Sequence, residues 1–269
     1  MKILCWNIVS LRAILQKKNI IDNKEKIKNT FENFIKNNDF DIICLQEIKL
    51  CNNSINILLE LLPEYEYKYY NIPKSKKGYS GVAIISKIKP ESFSIKFDDI
   101  LGRYLKVKFK KFYLINLYSV NAGPKLERLK DKDIFNKKFY NKMQKLKNKK
   151  EVIIVGDFNA IHTEIDSYDF NKHHNKLAGV TDLEIKNLNK LLDSGFYNVF
   201  RELYPDKKQY SYFTYRWPGR HYNKGLLIDF ALVTKKILKK YTKNFKFLDN
   251  IYGSDHLPFV LELDNKIIT

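Results

Sequence analysis

The sequence predicts an α/β protein, a four-layer α/β sandwich in which two mixed β-sheets pack face to face with helices on both outer sides. Three observations on the 269 residues support this fold class. Apolar strand-like segments alternate with amphipathic helical segments, the second half of the chain echoes the first, and no Pro-, Gly- or Ser-rich linker separates the halves. We therefore expect a single domain over residues 1–269.

Several segments have the apolar and β-branched composition of strands. In chain order they are Lys2–Ile8, Asp41–Leu45, Tyr65–Tyr70, Val82–Ser86, Tyr104–Phe109, Phe112–Tyr118, Val152–Val155, Leu227–Val233 and Phe259–Leu263. The run Val152–Val155 is β-branched throughout and predicts a buried strand. Gly156, which follows it, predicts the turn that ends this strand.

Three segments between the strands have the spacing of amphipathic helices. In Glu25–Lys36 the apolar face is formed by Ile27, Phe31, Phe34 and Ile35. In Asp131–Lys147 it is formed by Ile134, Phe135, Phe139, Met143 and Leu146, and the lysines of this segment are expected on solvated faces. Thr181–Leu192 begins with Thr-Asp-Leu-Glu, which predicts an N-cap followed by an acidic first turn.

The chain is strongly basic, with 49 Lys and Arg against 30 Asp and Glu and a formal net charge of +19. Such an excess favours an anionic partner, with nucleic acid first and an acidic membrane surface second. However, six of the 49 are Arg, and Lys, Asn and Ile are abundant throughout, which is typical of a composition bias. Charge alone therefore leaves nucleic-acid binding undecided.

The cysteines and the N-terminal segment predict a protein of a reducing compartment. Cys5, Cys44 and Cys51 form no C-x-x-C pair, and we expect free thiols. The first apolar run is interrupted by Asn7 and followed by Arg12, which is typical of a strand and not of a signal peptide. No stretch reaches the roughly 18 apolar residues of a membrane span. We expect a cytoplasmic protein, at the nucleoid of a bacterium or in a nucleus, and neither secreted nor membrane-bound.

Polar residues follow or interrupt the predicted strands in a recurring way. The set consists of Asn7, Glu47, Tyr118, Asn121, Asp157, Asn159, Asp229, Asp255 and His256. Taken singly, each is better explained as a solvated side chain, a turn former or a structural histidine. Taken together, their types suit metal-assisted hydrolysis of a phosphodiester. Carboxylates are the ligands that Mg²⁺ prefers, amides bond phosphate oxygens without adding negative charge, and an Asp–His pair orients an imidazole.

The same residues lie in longer motifs that run from the first strand to the last. These are Trp6-Asn7, Leu11-Arg12-Ala13, Leu45-Gln46-Glu47-Ile48-Lys49, Gly78-Tyr79-Ser80-Gly81-Val82-Ala83, Asn116-Leu117-Tyr118 with Asn121, Gly156-Asp157-Phe158-Asn159, His162 with Glu164-Ile165-Asp166, Tyr210–Arg216, Ile228-Asp229-Phe230, and Gly253-Ser254-Asp255-His256 with Pro258. In type and order they resemble the exonuclease III family of abasic-site (AP) endonucleases, part of the endonuclease/exonuclease/phosphatase superfamily.

The resemblance implies a role for each position. Glu47 is implied as the principal Mg²⁺ ligand, with Asp255 and Asn7 beside it and Mn²⁺ as a substitute metal. Asp157 is implied to position or deprotonate the attacking water, and Asn159 to orient that water or stabilise the transition state. His256, held by Asp229, is implied to contact the scissile phosphate, with Tyr118 and Asn121 along the phosphate and the leaving 3′-oxygen.

The resemblance also implies the substrate. Such enzymes cut duplex DNA 5′ to an abasic site, leaving a 3′-hydroxyl, and often trim 3′ ends. An abasic nucleotide is cheaply extruded because it has no base to unstack. Tyr212, Leu226 and Ile228 match the positions of its pocket, with core packing as the alternative for each. Arg128 and Arg216, with Lys49 and Lys77, are expected to contact phosphates. We expect a monomer.

Three departures from the family pattern concern recognition. Val9 stands where the family usually has Asp or Asn, which removes a metal or water contact. Leu226 and Leu227 replace a usual Trp-Arg pair, an aromatic wall and a cation. We expect these changes to alter the balance between AP-endonuclease and 3′-exonuclease activity. Residues 169–177 do not align cleanly with the family's Asn-rich loop.

Two alternative functions follow from the same residues. One is another phosphodiesterase of the superfamily, acting on RNA or a phospholipid, since these share the Asn-Glu-Asp-Asn-Asp-His set. The other is a DNA-binding protein that has lost catalysis, which Val9 and Leu226 would favour. The presence of every hydrolytic residue argues against the second alternative.

Overall fold

The fold consists of two six-stranded sheets with helices on their outer faces. The computed structural model describes residues 1–21, 30–74, 76–97, 100–214 and 218–268. The strands are β1 (Lys2–Asn7), β2 (Ile42–Gln46), β3 (Tyr67–Asn71), β4 (Val82–Ser86), β5 (Ser92–Ser94), β6 (Tyr104–Lys108), β7 (Phe112–Tyr118), β8 (Glu151–Asp157), β9 (Phe196–Asn198), β10 (Asp229–Thr234), β11 (Thr242–Phe247) and β12 (Phe259–Leu263). The predicted fold class is confirmed.

The two sheets have corresponding strand orders. The first runs β11-β12-β1-β2-β4-β3 and the second runs β5-β6-β7-β8-β10-β9. The central pairs β1–β2 and β7–β8 are parallel, and the other pairs are antiparallel. Because the carboxyl ends of parallel neighbours lie at the same edge, the last residues of all four central strands can meet at one end of the sandwich.

The helices described are α1 (Leu11–Leu15), α2 (Phe31–Asn38), α3 (Asn56–Glu60), α4 (Leu129–Lys147), α5 (Phe170–His173), α6 (Asp182–Asp193) and α7 (Val199–Leu203). A π-helical segment follows at Ile237–Tyr241. The N-terminal part of the helix predicted at Glu25–Lys36 lies outside the described residues, and its remainder belongs to α2. Thr181 caps α6 in a reciprocal capping box with Glu184, as its sequence predicts.

Side chains of the central strands alternate between two apolar layers. Ile3 and Cys5 of β1 join the core between the sheets. Leu4 and Trp6 point to the other side and pack with Phe31 of α2. Since both faces of this strand are covered, its sequence is continuously apolar instead of alternating. The inner face of β1 therefore belongs to the core shared by both sheets, and its outer face packs against α2.

The helix α4 departs from its predicted apolar stripe at two positions. Phe135, Phe139 and Met143 are buried, as predicted, but Ile134 is 44% exposed. Lys132, expected on a solvated face, is instead fully buried. The stripe is thus centred on positions 132, 135, 139, 143 and 146, and its first member is a cation that finds partners in the loops below the helix.

Gly156 does not end its strand, which was the prediction. The strand β8 continues to Asp157, and Gly156 pairs in register with Leu117 of β7 and Phe230 of β10. Gly156 has φ of 146°, and a Cβ atom there would lie 1.9 Å from the carbonyl oxygen of Leu117. Glycine is required by this close backbone approach inside the sheet.

Three of the four edge strands were not predicted from the sequence. β5, β9 and β11 were not predicted, whereas Val82–Ser86, Phe112–Tyr118 and Phe259–Leu263 have the predicted bounds. Within the described ranges, no helix is long and apolar enough to cross a membrane. Cys5, Cys44 and Cys51 are free thiols, and the first two are buried.

Candidate active site

The predicted site residues of the strands converge on a cleft at the carboxyl ends of the central strands. Its volume is about 550 Å³. Among its lining residues are Glu47, Tyr118, Asn121, Arg128, Asp157, Asn159, Tyr212, Leu226, Ile228, Asp255 and His256. Asn7 and Asp229 lie behind this surface and hydrogen-bond to it. Arg216 lies outside the described residues.

Asp229, His256 and Asp157 form the buried centre of the cleft. His256 Nδ1 lies 2.8 Å from Asp229 Oδ2, and its Nε2 lies 3.9 Å from Asp157 Oδ2. Asp229 also accepts a 2.6 Å hydrogen bond from the Ser211 hydroxyl. The imidazole is therefore fixed at one nitrogen, and its second nitrogen faces the cleft beside Asp157.

The pKa values of Asp157 and His256 are shifted so that a negative Asp157 can lie next to a positive His256. Burial and the nearby Asp229 raise the pKa of Asp157 to about 7, although the His256 charge and the Asn159 N–H counteract this rise. Burial by itself would lower the pKa of His256, but Asp229 and Asp157 outweigh it and raise that pKa to about 10. Between these values an aspartate base lies next to an imidazolium donor.

Asn7 connects the two sides of the cleft. Its Nδ2 donates to Glu47 Oε1 at 3.0 Å and to Asp157 Oδ2 at 3.0 Å. Its Oδ1 accepts the backbone N–H of Val9 at 3.1 Å, and its carbonyl accepts the Ser254 hydroxyl at 2.6 Å. An amide in this position holds both carboxylates by donating to them.

Glu47 and Asp255 provide the carboxylates on the other side. Glu47 follows β2 directly with φ of 52°, so its side chain turns from the sheet into the cleft. Its Oε2 lies 3.1 Å from Lys49 Nζ. Burial raises the pKa of Asp255, His256 opposes this rise, and the negative charge of Glu47 adds to it. The two carboxylates thus repel each other across a shared space.

Asn159 and Asn121 form the third part of the site. Asn159 follows Asp157 with φ of 49°, and its N–H donates to Asp157 Oδ1 at 2.8 Å. Its side-chain Oδ1 accepts from Asn121 Nδ2 at 2.8 Å, and its Nδ2 donates to the carbonyl of Ser119 at 3.0 Å. These contacts orient the two amides as a pair at the edge of the cleft.

Tyr118 lies next to Glu47 at the end of β7. Burial raises the pKa of its phenol well above the usual range, and Glu47 adds to this effect through its charge and a hydrogen bond. The Arg103 guanidinium packs 4.8 Å from the Tyr118 ring centroid. The phenol therefore keeps its proton at neutral pH.

The opposite wall of the cleft is apolar. Leu226 and Ile228 are about 95% buried and pack with Ile161 and Val180. The Tyr212 ring lies 5.0 Å from His256. Leu226 and Ile228 thus belong to a small apolar cluster and also line the cleft. Arg128 borders the cleft and donates to the Asn121 carbonyl at 2.9 Å.

Three residues of the site were not found by sequence reasoning. Ser211 holds Asp229, Arg103 contacts Tyr118 and donates to the Ser119 carbonyl at 3.3 Å, and Lys132 lies beneath Asn159. Each acts through a catalytic-site neighbour, and their residue types are common on surfaces. Ser211 could have been found within the Tyr210–Arg216 motif, whereas no sequence signal marks the burial of Lys132.

Comparison with known proteins identifies the class. The sequence profile of the Endonuclease/Exonuclease/phosphatase family matches residues 6–256. The chain belongs to this family, so the predicted family and hydrolase class are confirmed. Among the described residues, Asp157, Asp229 and His256 have ligand atoms within 4.8 Å of one another, a grouping that can also hold a metal ion.

Named relatives extend along the chain. It is 36% identical over 269 residues to Recombination repair protein 1 of Drosophila melanogaster, covering 97% of this chain and 37% of that protein. It is 32% identical over 266 residues to an exodeoxyribonuclease of Bacillus subtilis, covering 97% and 98%. It is 30% identical over 274 residues to the DNA-(apurinic or apyrimidinic site) endonuclease of Dictyostelium discoideum, covering 98% and 71%.

A solved structure gives the same architecture. The 3′ phosphatase NExo from Neisseria, bound to a product DNA hairpin, is similar with a TM-score of 0.84 and 26% identity. The match covers 98% of this chain and 99% of that one. The fold and its two-sheet arrangement are therefore those of a known DNA-processing enzyme.

Proposed function

We propose that this chain is a Mg²⁺-dependent DNA phosphodiesterase that cuts the backbone 5′ to abasic sites and also trims 3′ ends. The observation that carries the proposal is the pairing of Asp157 with a His256 imidazolium in a cleft that also holds two opposed carboxylates, Glu47 and Asp255. A hydrolase of phosphodiesters needs a base, a donor to the phosphate and a cation site, and this cleft has residues suited to each.

Asp157 is proposed to be the base. Its carboxylate accepts bonds from Asn7 and from the Asn159 N–H, which fix its orientation toward the cleft. A water oxygen attacks phosphorus while its proton passes to Asp157, and the bond between phosphorus and the 3′-oxygen breaks. With a pKa of about 7, Asp157 is deprotonated in a large fraction of the molecules at neutral pH and is basic enough to accept the proton.

His256, Asn159 and Tyr118 are proposed to handle the charge that develops. His256 donates from Nε2 to a non-bridging phosphate oxygen, because Asp229 already occupies its Nδ1. Asn159 donates from Nδ2 to Asp157 Oδ2 at 3.3 Å and to the Ser119 carbonyl, and it accepts from Asn121, so it is proposed to orient the base and the Asn121 amide beside the phosphate. The protonated phenol of Tyr118 gives a proton to the leaving 3′-oxygen, which departs as a hydroxyl.

The residues fit a divalent cation at Glu47 and Asp255. The evidence is the donor set: two carboxylates that share one cleft and offer hard oxygen ligands, with the pKa of Asp255 raised by burial and also by the charge of Glu47. Mg²⁺ held there would neutralise the phosphate charge, and Mn²⁺ would substitute for it. Asn7 was expected as a ligand, but its contacts suit a residue that orients Glu47 from behind. The Asp157–Asp229–His256 group suits hydrogen bonding, since His256 holds its proton.

The abasic nucleotide is proposed to lie against Tyr212, Leu226 and Ile228. These side chains offer apolar surface and no base-edge recognition, so a deoxyribose without a base fits them best. Arg128 and the lysines beside the cleft would contact phosphates of the duplex. Two relatives support this substrate class by name, an apurinic or apyrimidinic site endonuclease and an exodeoxyribonuclease. The neighbouring 3′ phosphatase supports 3′-end trimming.

We further propose that the whole chain acts as one domain and as a monomer. The cleft takes residues from both sheets and from loops between positions 7 and 256 of a single chain. With relatives that act in DNA repair, the place of action would be the nucleoid or the nucleus.

The test is cleavage of an end-labelled duplex with one tetrahydrofuran abasic analogue, with Mg²⁺ or EDTA. Glu47→Gln is the inactive variant, and Glu60→Gln, at an exposed residue of α3, is the matched control. We expect incision 5′ to the analogue that requires Mg²⁺ and is lost only in Glu47→Gln. Stepwise loss of nucleotides from the 3′ end without incision would reduce the function to an exonuclease. An RNA strand is tested in parallel, and cleavage of this RNA without cleavage of the duplex would reject the DNA substrate.

A further inference from the structure

Lys132 occupies an unusual position for a lysine. It lies in the first turns of α4, and its side chain has no solvent exposure. Lysine is almost never fully buried unless its charge is compensated, since desolvating an ammonium is costly. The compensation here comes from groups that belong to the active-site loops.

The three N–H groups of the Lys132 ammonium all have acceptors. They donate to the carbonyls of Val120 at 2.9 Å, Phe158 at 3.0 Å and Asn159 at 2.6 Å. The first carbonyl belongs to the loop after β7, directly before Asn121. The other two belong to the turn after β8 that carries Asn159. One ammonium thus joins the backbones of the two loops whose amides meet at 2.8 Å in the cleft.

A buried carboxylate extends this connection to a third segment. Glu184 Oε1 lies 3.6 Å from Lys132 Nζ, and both side chains are essentially unexposed. Glu184 Oε2 accepts from the Gly179 N–H at 2.8 Å and from the Thr181 hydroxyl at 2.8 Å. Gly179 lines the cleft. Burial lowers the pKa of Lys132, Glu184 counteracts this, and the result is about 8, so the ammonium is mainly charged at neutral pH.

Asn159 needs such support because of its backbone. Its φ of 49° is in the left-handed region, which Asn tolerates better than most residues but which still carries strain. A strained conformation persists only where its surroundings fix it. The hydrogen bond from Lys132 to the Asn159 carbonyl is one of the contacts that fix it.

We propose that Lys132 is a positioning residue for the hydrolytic site. It touches neither phosphate nor water but holds the Asn121 and Asn159 loops in the geometry that aims their amides at the substrate, with Glu184 tying the Gly179 wall to the same point. The expected effect on kcat rests on the proposed function. The expected effect on the geometry of the two loops rests on the contacts alone.

The test uses Lys132→Met with Glu184→Gln, so that no unpaired charge stays buried. Lys145→Met, an exposed position on the same helix, is the matched control. Assays are run at 25 °C on protein shown to be folded by circular dichroism. We expect kcat on the tetrahydrofuran duplex to fall by about tenfold or more, with KM changed by less than about twofold, because small displacements of positioned groups cost this much.

A purely structural role is separated by repeating the double substitution in an Asn159→Ala background. If Lys132 acts through Asn159, the further loss of kcat there should be less than about twofold. A full tenfold loss in that background, or an unchanged kcat with a lower melting temperature alone, would overturn the proposal.

Two further measurements keep the outcome decisive. If the double variant does not fold, Lys132→Arg keeps the charge and its Glu184 partner. A planar guanidinium cannot direct three N–H groups to carbonyls that converge on one point, so kcat should still fall, and an unchanged kcat would overturn the proposal. If the wild-type protein does not cut the duplex, amide hydrogen exchange of the double variant is compared with that of the wild type. Faster exchange at Asn159 and Gly179 with β8 unchanged supports the positioning role, and unchanged exchange rejects it.

Discussion

The charge of His256 depends mainly on one neighbour, Asp229. Asp229 accepts from Nδ1 at 2.8 Å in a buried setting, and this contact together with Asp157 raises the pKa of His256 against the effect of burial. Because the folded-state pKa is about 10, the imidazolium persists through neutral pH and is lost only as the pH rises through that value. The donation to a phosphate that we propose for His256 therefore depends on Asp229, which lies behind the cleft surface.

Replacing Asp229 by Asn should remove this effect. The main group that raises the pKa would be gone, burial would remain, and the pKa of His256 should fall by at least about two units. ¹⁵N NMR titration of the histidine side chains in EDTA checks this, with His174→Gln, a surface histidine, as the control. Loss of activity at pH 8 should accompany the shift. An imidazole still protonated at pH 9 in Asp229→Asn would contradict this account.

Val9 carries backbone strain at the entrance of the site. Its φ is 59°, which is rare for a β-branched residue, and its N–H caps the Asn7 side chain at 3.1 Å. The sequence analysis treated Val9 as a missing metal or water contact. The structure adds that the turn has the conformation that Asn or Asp adopts more easily.

We expect Val9→Asn to stabilise the protein by about 1 kcal/mol, because Asn relieves the left-handed strain and keeps the N–H contact. Urea unfolding measures the change. Val9→Ala is the control, since it removes the branched side chain without adding tolerance for positive φ. Equal stabilities of the two variants would show that the backbone conformation is not the cause.

At the residue scale, the sequence predicts which groups gather at the site, whereas their hydrogen-bond partners become known only from the structure. Asp157, Asn159 and His256 stand at strand ends in recognisable motifs, and the fold brings them together. The family resemblance implies a place for Asn7 beside the metal, and the structure shows that its amide donates to two carboxylates, Glu47 and Asp157. Such a role depends on which atom faces which neighbour, and a sequence does not contain that information.

The strand β8 shows how one element can depend on the absence of a side chain. Gly156 lies between β7 and β10, where the Leu117 carbonyl approaches its Cα closely. This approach lets the strand continue to Asp157, so the carboxylate that we propose as the base leaves the sheet at its last residue. A turn at Gly156, as predicted from the sequence, would have placed Asp157 in a loop.

Gly156→Ala should therefore destabilise the protein by more than about 3 kcal/mol, since its Cβ would collide with backbone that cannot move independently. Gly78→Ala is the matched control: its φ is also positive, at 67°, but the nearest atoms lie 4.0 Å away. Conformation alone should cost about 1 kcal/mol there. Guanidinium unfolding compares the two, and similar losses would rule out the steric explanation.

At the element scale, the central strands and the long helices were predictable, whereas three edge strands and the shortest helices were not. The apolar spacing in α4 identified a helix, but assigned Ile134 to the core and Lys132 to the solvent. The stripe assignment assumes that apolar residues are buried and cations are not. The loop carbonyls beneath α4 reverse this at one position. Edge strands such as β5 have three residues and weak patterns, so pairing with β6 defines them.

Over the whole molecule, a polar contact connects the two sheets within the apolar interior. Gln46 of β2 donates to Asn116 Oδ1 of β7 at 2.6 Å, and Asn116 donates in turn to the carbonyls of Leu45 and Ala83 at 3.0 and 2.8 Å. All four residues are buried. This bridge lies near the cleft end of the sandwich and sets the sheets at one relative position, which apolar packing alone specifies less strictly.

The fold as a whole was predictable because many weak signals agree. Alternating strands and helices and the family motifs all indicate the same sandwich, so an error at one element does not change the class. The pairing of the sheets was less accessible, since Gln46 and Asn116 lie in apolar runs where a polar residue has no pattern. Their purpose becomes visible only when the two strands face each other.

The contact between Gln46 and Asn116 predicts that substitutions of these two residues, which are far apart in sequence, have coupled effects on the free energy of unfolding. Asn116→Leu removes the 2.6 Å partner of Gln46 Nε2 and leaves this buried amide only longer contacts, to Cys5 Sγ at 3.3 Å and the Cys44 carbonyl at 3.4 Å, which should cost about 2–4 kcal/mol. Gln46→Leu should cost less, because Asn116 keeps both backbone carbonyls. The stability loss of the double variant should be at least about 1 kcal/mol smaller than the sum of the two single losses, since Gln46→Leu removes the amide that has lost its Asn116 partner. Urea unfolding of the wild type, the two single variants and the double variant gives this coupling. Val107→Ala, another substitution in the same core, is the control, and its stability loss should add to that of Gln46→Leu. Strict additivity of Asn116→Leu and Gln46→Leu would mean that the two sheets are aligned by apolar packing and that the polar bridge only accompanies it.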